Sequence, residues 1–393
     1  MKKIAFFVQW MLYGGVENAL IALTKELKRK GNDITIYVIT NKGDFINKIP
    51  KDIHLKLIPM DNNIRINIPV GGTKITVRNH IVEKQYIFAL KFILKHQFNT
   101  KRFAELNVAL QKIPTLNSEY DIAVNFHMHS PFLVWYLSER VNANKKYTWI
   151  HNDLETTHYD IRKLKRYLNC IDNFFAVSHK IVNEFNYLLP EYKNKIQTAI
   201  NIVPVNEIKE KADKFYPQEF SNVEKNTVIL LTVGRLEEQK GYDIAIEVCE
   251  KIIKEGFKIQ WFVLGEGTQK HFIEKEIKRK NIENYFHLLG TRMNPYPYFK
   301  NCDIYVQTSK HEGYVTTITE AKLFNCPIVC TDVSGAREQL KDGVNGDIAE
   351  ITVESVYQKL YSLLLDQQRQ CSYSFELSKE TNTSEPTWLS IFS

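Results

Sequence analysis

The chain is 393 residues long, 44% apolar and 25% charged, with a net charge of +7. That is too much chain for one ordinary core and about right for two α/β domains at roughly 150 residues each, so a cleft between domains is expected. The balance excludes a disordered chain, and no apolar run approaches the ~18 residues of a membrane span.

The Met-Lys-Lys start leads into an apolar run that Gln9 cuts short, which predicts a cytoplasmic protein with no signal peptide. Lys3 to Gln9 reads as a strand, Gly14-Gly15 as a turn, and Ala19, Leu20, Leu23 and Leu27 recur at helical spacing. Lys28, Arg29 and Lys30 suit the negative end of that helix, and Gly31 suits a left-handed cap. Asp33 to Ile39 follows as the next strand.

Residues 73–103 mix Tyr86, Phe88, Leu90, Phe92 and Leu94 with Lys84, Lys91, Lys95, Lys101 and Arg102. They read as an inserted basic helical hairpin, either packed on the first domain's core or lying on a membrane surface. Thr148 to Asp153 is a strand ending at His151, and Asp172 to Ser178 is another. Residues 206–226 lack apolar periodicity and read as the linker between a first domain, 1–205, and a second, 227–370.

The second domain repeats the grammar of the first. Thr227 to Val233 is an apolar strand, Gly234 opens a loop, and Tyr242, Ala245, Ile246, Cys249 and Ile253 line a helix ending near Gly256. Strands follow at Ile259 to Leu264, Asp303 to Gln307 and Pro327 to Thr331. Such runs alternating with helices predict parallel sheets covered on both faces. The segment 371–393 holds Trp388, Leu389, Ile391 and Phe392, anchors that predict a tail docked on the body.

Charge divides unevenly: residues 1–205 carry 29 Lys and Arg against 17 Asp and Glu, and the remainder 23 against 28. A basic first half points to an anionic partner, with membrane, lipid-linked phosphate or nucleic acid as candidates; without interleaved stacking aromatics, nucleic acid fits poorly. The six cysteines form no CxxC pair and have no histidines at ligand spacing. They read as reduced and mostly buried, and no metal or organic cofactor is expected.

The strongest chemical signal is His311 to Ala321, HEGYVTTITEA, which places two carboxylates, Glu312 and Glu320, eight positions apart. In an unbroken helix they would be ~80° apart around the axis and ~12 Å apart along it. A loop at Gly313 to Thr316 lets them face different parts of one elongated ligand. The amides near Val315, Thr316 and Thr317 open a helix and suit a diphosphate, and Gly313 lets it come close. The loop from Thr232 to Gly241, TVGRLEEQKG, puts Gly234, Arg235 and Lys240 at the mouth of a parallel sheet, where ligands bind. Arg and Lys together suit a pyrophosphate leaving group.

GRLEEQKG, LGEG at Leu264 to Gly267, EGYVTTITEA and DVSGAREQLKDGVNG at Asp332 to Gly346 together resemble the retaining glycosyltransferases of family 4. The resemblance implies a GT-B fold, two Rossmann-like domains whose parallel sheets face a central cleft, and transfer of a hexosyl or N-acetylhexosaminyl group from a nucleotide sugar, a UDP-sugar above all. It implies that Arg235 and Lys240 hold the donor diphosphate, that Glu320 binds the ribose, and that Glu312 and His151 contact the donor sugar. Gly14 and Gly15 would approach the phosphates or the acceptor. With the basic first half it suggests a lipid-linked or oligosaccharide acceptor, peripheral contact with the inner face of an anionic membrane, and a role in cell-surface polysaccharide assembly. The chain departs from many relatives in carrying Val315, Thr316 and Thr317 where a proline or bulky apolar residue is common. A non-catalytic sugar-binding partner, a nucleotide-sugar epimerase and a phosphorylase share the same cleft and stay open as alternatives.

Overall fold

A computed structural model describes residues 1–12, 14–41, 43–68, 110–154, 161–380 and 386–392; the segment 73–103 lies outside them. Among the described residues the first domain has seven strands: β1 (Lys3–Val8), β2 (Asp33–Val38), β3 (His54–Leu57), β4 (Glu119–Asn125), β5 (Asn142–Ile150), β6 (Asn173–Ala176) and β7 (Ile196–Thr198). The second has six: β8 (Val228–Val233), β9 (Ile259–Leu264), β10 (Phe286–Leu288), β11 (Ile304–Gln307), β12 (Ile328–Thr331) and β13 (Asp347–Ala349). The sheets run β3-β2-β1-β4-β5-β6-β7 and β10-β9-β8-β11-β12-β13, and neighbours pair in parallel.

Strand composition explains the layering. β8 reads VILLTV and β9 IQWFVL, and Leu230, Leu231, Trp261 and Val263 are fully buried, as expected of a sheet covered on both sides. In the first domain, helix Gly15–Arg29 buries Leu20, Leu23 and Leu27, and Gly31 takes a φ of +86° directly after it. In both sheets the chain order reverses, between β1 and β4 and between β8 and β11. Each reversal opens a crevice at the carboxyl ends of the strands, and the functional cleft is built there.

Three expectations are refined by the structure. The segment 206–226, read as a linker without apolar periodicity, holds buried anchors: helices Val205–Ala212 and Gln218–Ser221 bury Ile208, Ala212 and Phe220. Phe220 packs on Phe262 with centroids 4.9 Å apart and belongs to the second core. Helices of one or two turns, holding one or two apolar anchors each, leave no readable period. A division at 370 cuts helix Gln367–Lys379, whose Tyr373 and Leu377 are buried in the second domain. Cysteine burial is also less general than expected: Cys249, Cys326 and Cys330 are buried, whereas Cys170 and Cys371 are exposed; all six are free thiols. Cys371 lies on the outer face of the helix that buries Tyr373 and Leu377 on its inner one.

The chain then returns to the first domain. The 3-10 helix Thr387–Phe392 buries Trp388, Leu389 and Phe392 in the first core, with Trp388 edge-on to Trp149 at 5.2 Å and Phe392 stacked on Phe175 at 6.1 Å. At ~1.5–3 kcal/mol for each large apolar side chain removed from water, this return ties the two domains together covalently and energetically.

Candidate active site

A cleft of about 790 Å³ lies between the domains. That is within the ~300–1,000 Å³ usual for small-molecule sites. From the first domain Gly14, Gly15 and His151 line it; from the second come Gly234, Arg235 and Lys240 after β8, then Glu312 to Thr317 and Glu320 after β11. All the residues singled out in the sequence therefore face one space, although 306 positions separate Gly14 from Glu320.

Glu312 and Lys240 form the centre. The Lys240 ammonium donates to Glu312 Oε1 at 2.5 Å, and the two side chains are only 16% and 10% exposed. Ser309 Oγ donates to the same carboxylate oxygen at 2.7 Å, and Gln307 Nε2 donates to Ser309 Oγ at 2.6 Å. Gln239 approaches the other carboxylate oxygen at 3.5 Å. Thr317 Oγ1 donates to Gln307 Oε1 at 3.3 Å, so this network also positions the start of helix Thr316–Lys322. The sequence reading missed Gln239, Gln307 and Ser309. The signal of Gln307 and Ser309 was polar residues at the end of an apolar strand, which a pattern search counts as the strand's end; Gln239 lies in a polar turn that carries no such signal.

Glu320 sits deeper on that helix. Burial pushes its carboxyl up to about 7, against a hydrogen bond from Tyr296 that pulls it down. Arg235 is exposed on the loop after β8, and its charge acts across the cleft on Glu17 of the first domain. Glu17, also missed, is buried, which pushes its carboxyl up to about 7. The Tyr242 hydroxyl donates to the Gly234 carbonyl at 2.8 Å and fixes this loop.

His151 ends β5 and is buried between Phe126, 4.4 Å away by ring centroids, and Trp149, stacked at 6.1 Å. Burial lowers its imidazole to about 3, so the ring is neutral at working pH. Neither ring nitrogen has a hydrogen-bond partner among the described residues. A structural histidine would be satisfied; one that lines a cleft with both buried nitrogens unpaired is a candidate to meet a ligand.

Gly313 also has a role that the sequence did not report. A Cβ there would lie 1.9 Å from the His151 carbonyl oxygen, so the missing side chain admits the first domain's backbone. Gly15 faces the second domain in the same way: a Cβ there would meet Thr316 Oγ1 at 3.1 Å. Behind the cleft, Ser334 Oγ donates to Asp153 at 2.8 Å, and Glu338 accepts from the His179 and Lys180 amides at 2.9 and 3.2 Å. The second domain thus supplies a carboxylate to the amino end of helix His179–Leu188, where the dipole favours it.

Residues 215–376 match the family described as Glycosyl transferases group 1. It is similar to the N-acetylgalactosamine-N,N'-diacetylbacillosaminyl-diphospho-undecaprenol 4-alpha-N-acetylgalactosaminyltransferase of Campylobacter jejuni, 27% identical over 235 residues, 56% of this chain and 61% of that one. It is also similar to the amylovoran biosynthesis glycosyltransferase AmsD of Erwinia amylovora, 24% identical over 84% of this chain and 80% of that one. The chain spans about three fifths of the length of the first curated relatives it matches. Anabaena HepE, solved with UDP-glucose, superposes with a TM-score of 0.70 at 16% identity, covering 96% of this chain and 94% of that one. The shared architecture is GT-B. Among the described residues no helix is long and apolar enough to cross a membrane.

Proposed function

We propose that the chain is a retaining glycosyltransferase that moves a hexosyl or N-acetylhexosaminyl group from a UDP-sugar to a lipid-linked saccharide acceptor in cell-surface polysaccharide assembly. The observation that carries this reading is the convergence of Arg235, Lys240, Glu312, Glu320 and His151 on one interdomain cleft. HepE was solved with UDP-glucose, and the Campylobacter relative is named for a diphospho-undecaprenol-linked saccharide, which supports the choice of donor and acceptor class.

In this reading Arg235 and Lys240 neutralise the diphosphate as its bond to the sugar C1 breaks, work that two fixed cations do without a metal. Glu320 accepts from the ribose hydroxyls. His151, neutral and with both ring nitrogens unpaired, donates to a donor-sugar hydroxyl. The Glu312 carboxylate stabilises the positive charge that develops at C1. The acceptor oxygen attacks C1 from the face the diphosphate leaves, and its proton passes to the departing phosphate oxygen, so no protein nucleophile is required. The enzyme works peripherally at the cytoplasmic face of a membrane.

The test is nucleotide release from a panel of UDP-, GDP- and ADP-sugars with a membrane-lipid extract, for the native chain and the Arg235→Ala and Glu312→Ala variants. Release from a UDP-sugar that needs the extract and is lost in both variants is expected. Donor binding without release in any combination would replace the transferase with a non-catalytic binding protein, and release without the extract would favour an epimerase.

A further inference from the structure

The cleft does not end at the donor residues. It continues along helix Gly15–Arg29, opposite helix Val205–Ala212, to Lys25, Lys48, Glu207 and Lys211. Lys25 reaches one oxygen of Glu207 at 2.9 Å and Lys211 the other at 2.5 Å, so two ammonium groups share one carboxylate. Burial would raise the Glu207 carboxyl, but hydrogen bonds from Lys211 and Lys25 hold it below its ordinary value. Lys48, whose ammonium lies over the Phe45 ring at 4.1 Å, faces the same cluster. Burial first, then repulsion from Lys211, lowers the Lys48 ammonium.

A clamp between the two helices would need one cation for one anion. Here each of two lysines spends one of its three N–H donors on Glu207, and their side chains stay 40% and 41% exposed, which leaves donors facing the cleft. Lys25 stands ten residues along the helix from Gly15, about 15 Å at ~1.5 Å per residue. We propose that Lys25, Lys48 and Lys211 form an anion subsite at this end of the cleft, about 15 Å from the Gly14–Gly15 loop, and that it takes a phosphate group of the acceptor. The proposal rests on the glycosyltransferase reading and names the chemistry of its acceptor. Glu207 holds the lysines in place in the empty cleft and gives them up to the stronger phosphate contacts when the acceptor enters. The same phosphate chemistry occurs in a lipid diphosphate and in a polyol-phosphate chain.

The test is calorimetric titration at low salt with inorganic pyrophosphate and with sn-glycerol 3-phosphate, in saturating UDP so that the donor end is filled. UDP is titrated first on its own, and its failure to bind would sink the donor reading without touching the lysines; the probes are then titrated without it. The native chain should bind at least one probe. The double variant Lys25→Gln/Lys211→Gln should bind it at least about tenfold more weakly, while Glu207→Gln, which removes the competing carboxylate, should bind it more tightly. Preference for pyrophosphate assigns a diphosphate-linked acceptor, and preference for glycerol phosphate a polyol-phosphate chain. Opposite effects of the two variants exclude misfolding as the cause. No binding of either probe to the native chain, or equal binding to native chain and both variants, overturns the proposal.

Discussion

Removing the Glu312 carboxylate should destabilise the empty protein as well as disable it. In the Glu312→Ala variant Lys240 keeps its charge at a site where its side chain is 16% exposed, and the hydroxyl of Ser309 loses its acceptor. Breaking a buried pair from one side costs about 3–5 kcal/mol, and the residual exposure of both partners places this pair near 3. At an unfolding entropy of about 2.1 cal/mol/K per residue, a chain of this length would lose roughly 4 °C in melting temperature. Replacing both partners, Lys240→Met with Glu312→Leu, removes the stranded charge and should recover most of the loss, because the paired ions repay little more than their own desolvation. Urea unfolding followed by circular dichroism reads both variants. The expected order is native, then the double variant close behind, then the single variant. A single variant as stable as the native chain would mean that the ion pair is not formed in solution, and the account of the site would fail at its centre.

The raised carboxyl of Glu320 has a direction in pH. With its folded value near 7 against an ordinary 4.5, the folded state holds the extra proton between those values, so the group costs stability as pH rises through that window. Glu320→Gln should therefore gain on the native chain by up to about 3 kcal/mol between pH 4.5 and pH 8, and parallel pH dependences of the urea midpoint would contradict this. Glu17 lies in the same range but is common to both chains, so the difference isolates Glu320. His151, held near 3 by burial, should add no limb to the kcat/KM profile between pH 5 and 8; a limb near 6.5 that vanishes in His151→Gln would show a charged imidazole instead. Gly313→Ala should force the domains apart, because its Cβ meets the His151 carbonyl at 1.9 Å. Small-angle scattering should record a larger radius of gyration together with lost transfer, whereas an unchanged radius with full activity would refute the close approach.

Much of this architecture was legible in the sequence because its signals are local. The apolar runs at Val228–Val233 and Ile259–Leu264, the glycine after helix Gly15–Arg29 and the polar loops after strands each report on a few neighbouring residues. The loop residues Arg235, Lys240 and Glu312, and Glu320 on the helix that follows, could be named in advance because parallel sheets put strand ends at a ligand. What escaped was set by distant contacts. The Gly313 backbone lies against His151 from the other domain, and no spacing within EGYVTTITEA reports that. Gln307 and Ser309 matter because they carry hydrogen bonds to Glu312, not because of where they stand in a strand. Helix Val205–Ala212 was hidden by its shortness, and its Glu207 gains meaning only beside Lys25, 182 positions earlier.

The central claim is that the cleft holds a nucleotide diphosphate with its phosphates on Arg235 and Lys240. Calorimetric titration of UDP into the native chain and into Arg235→Ala and Lys240→Ala tests it most directly. Each variant should lose roughly 10- to 100-fold in affinity, the worth of a hydrogen bond to a charged group at about 1.5–3 kcal/mol. UDP that binds native chain and variants equally would place the nucleotide elsewhere and contradict the account.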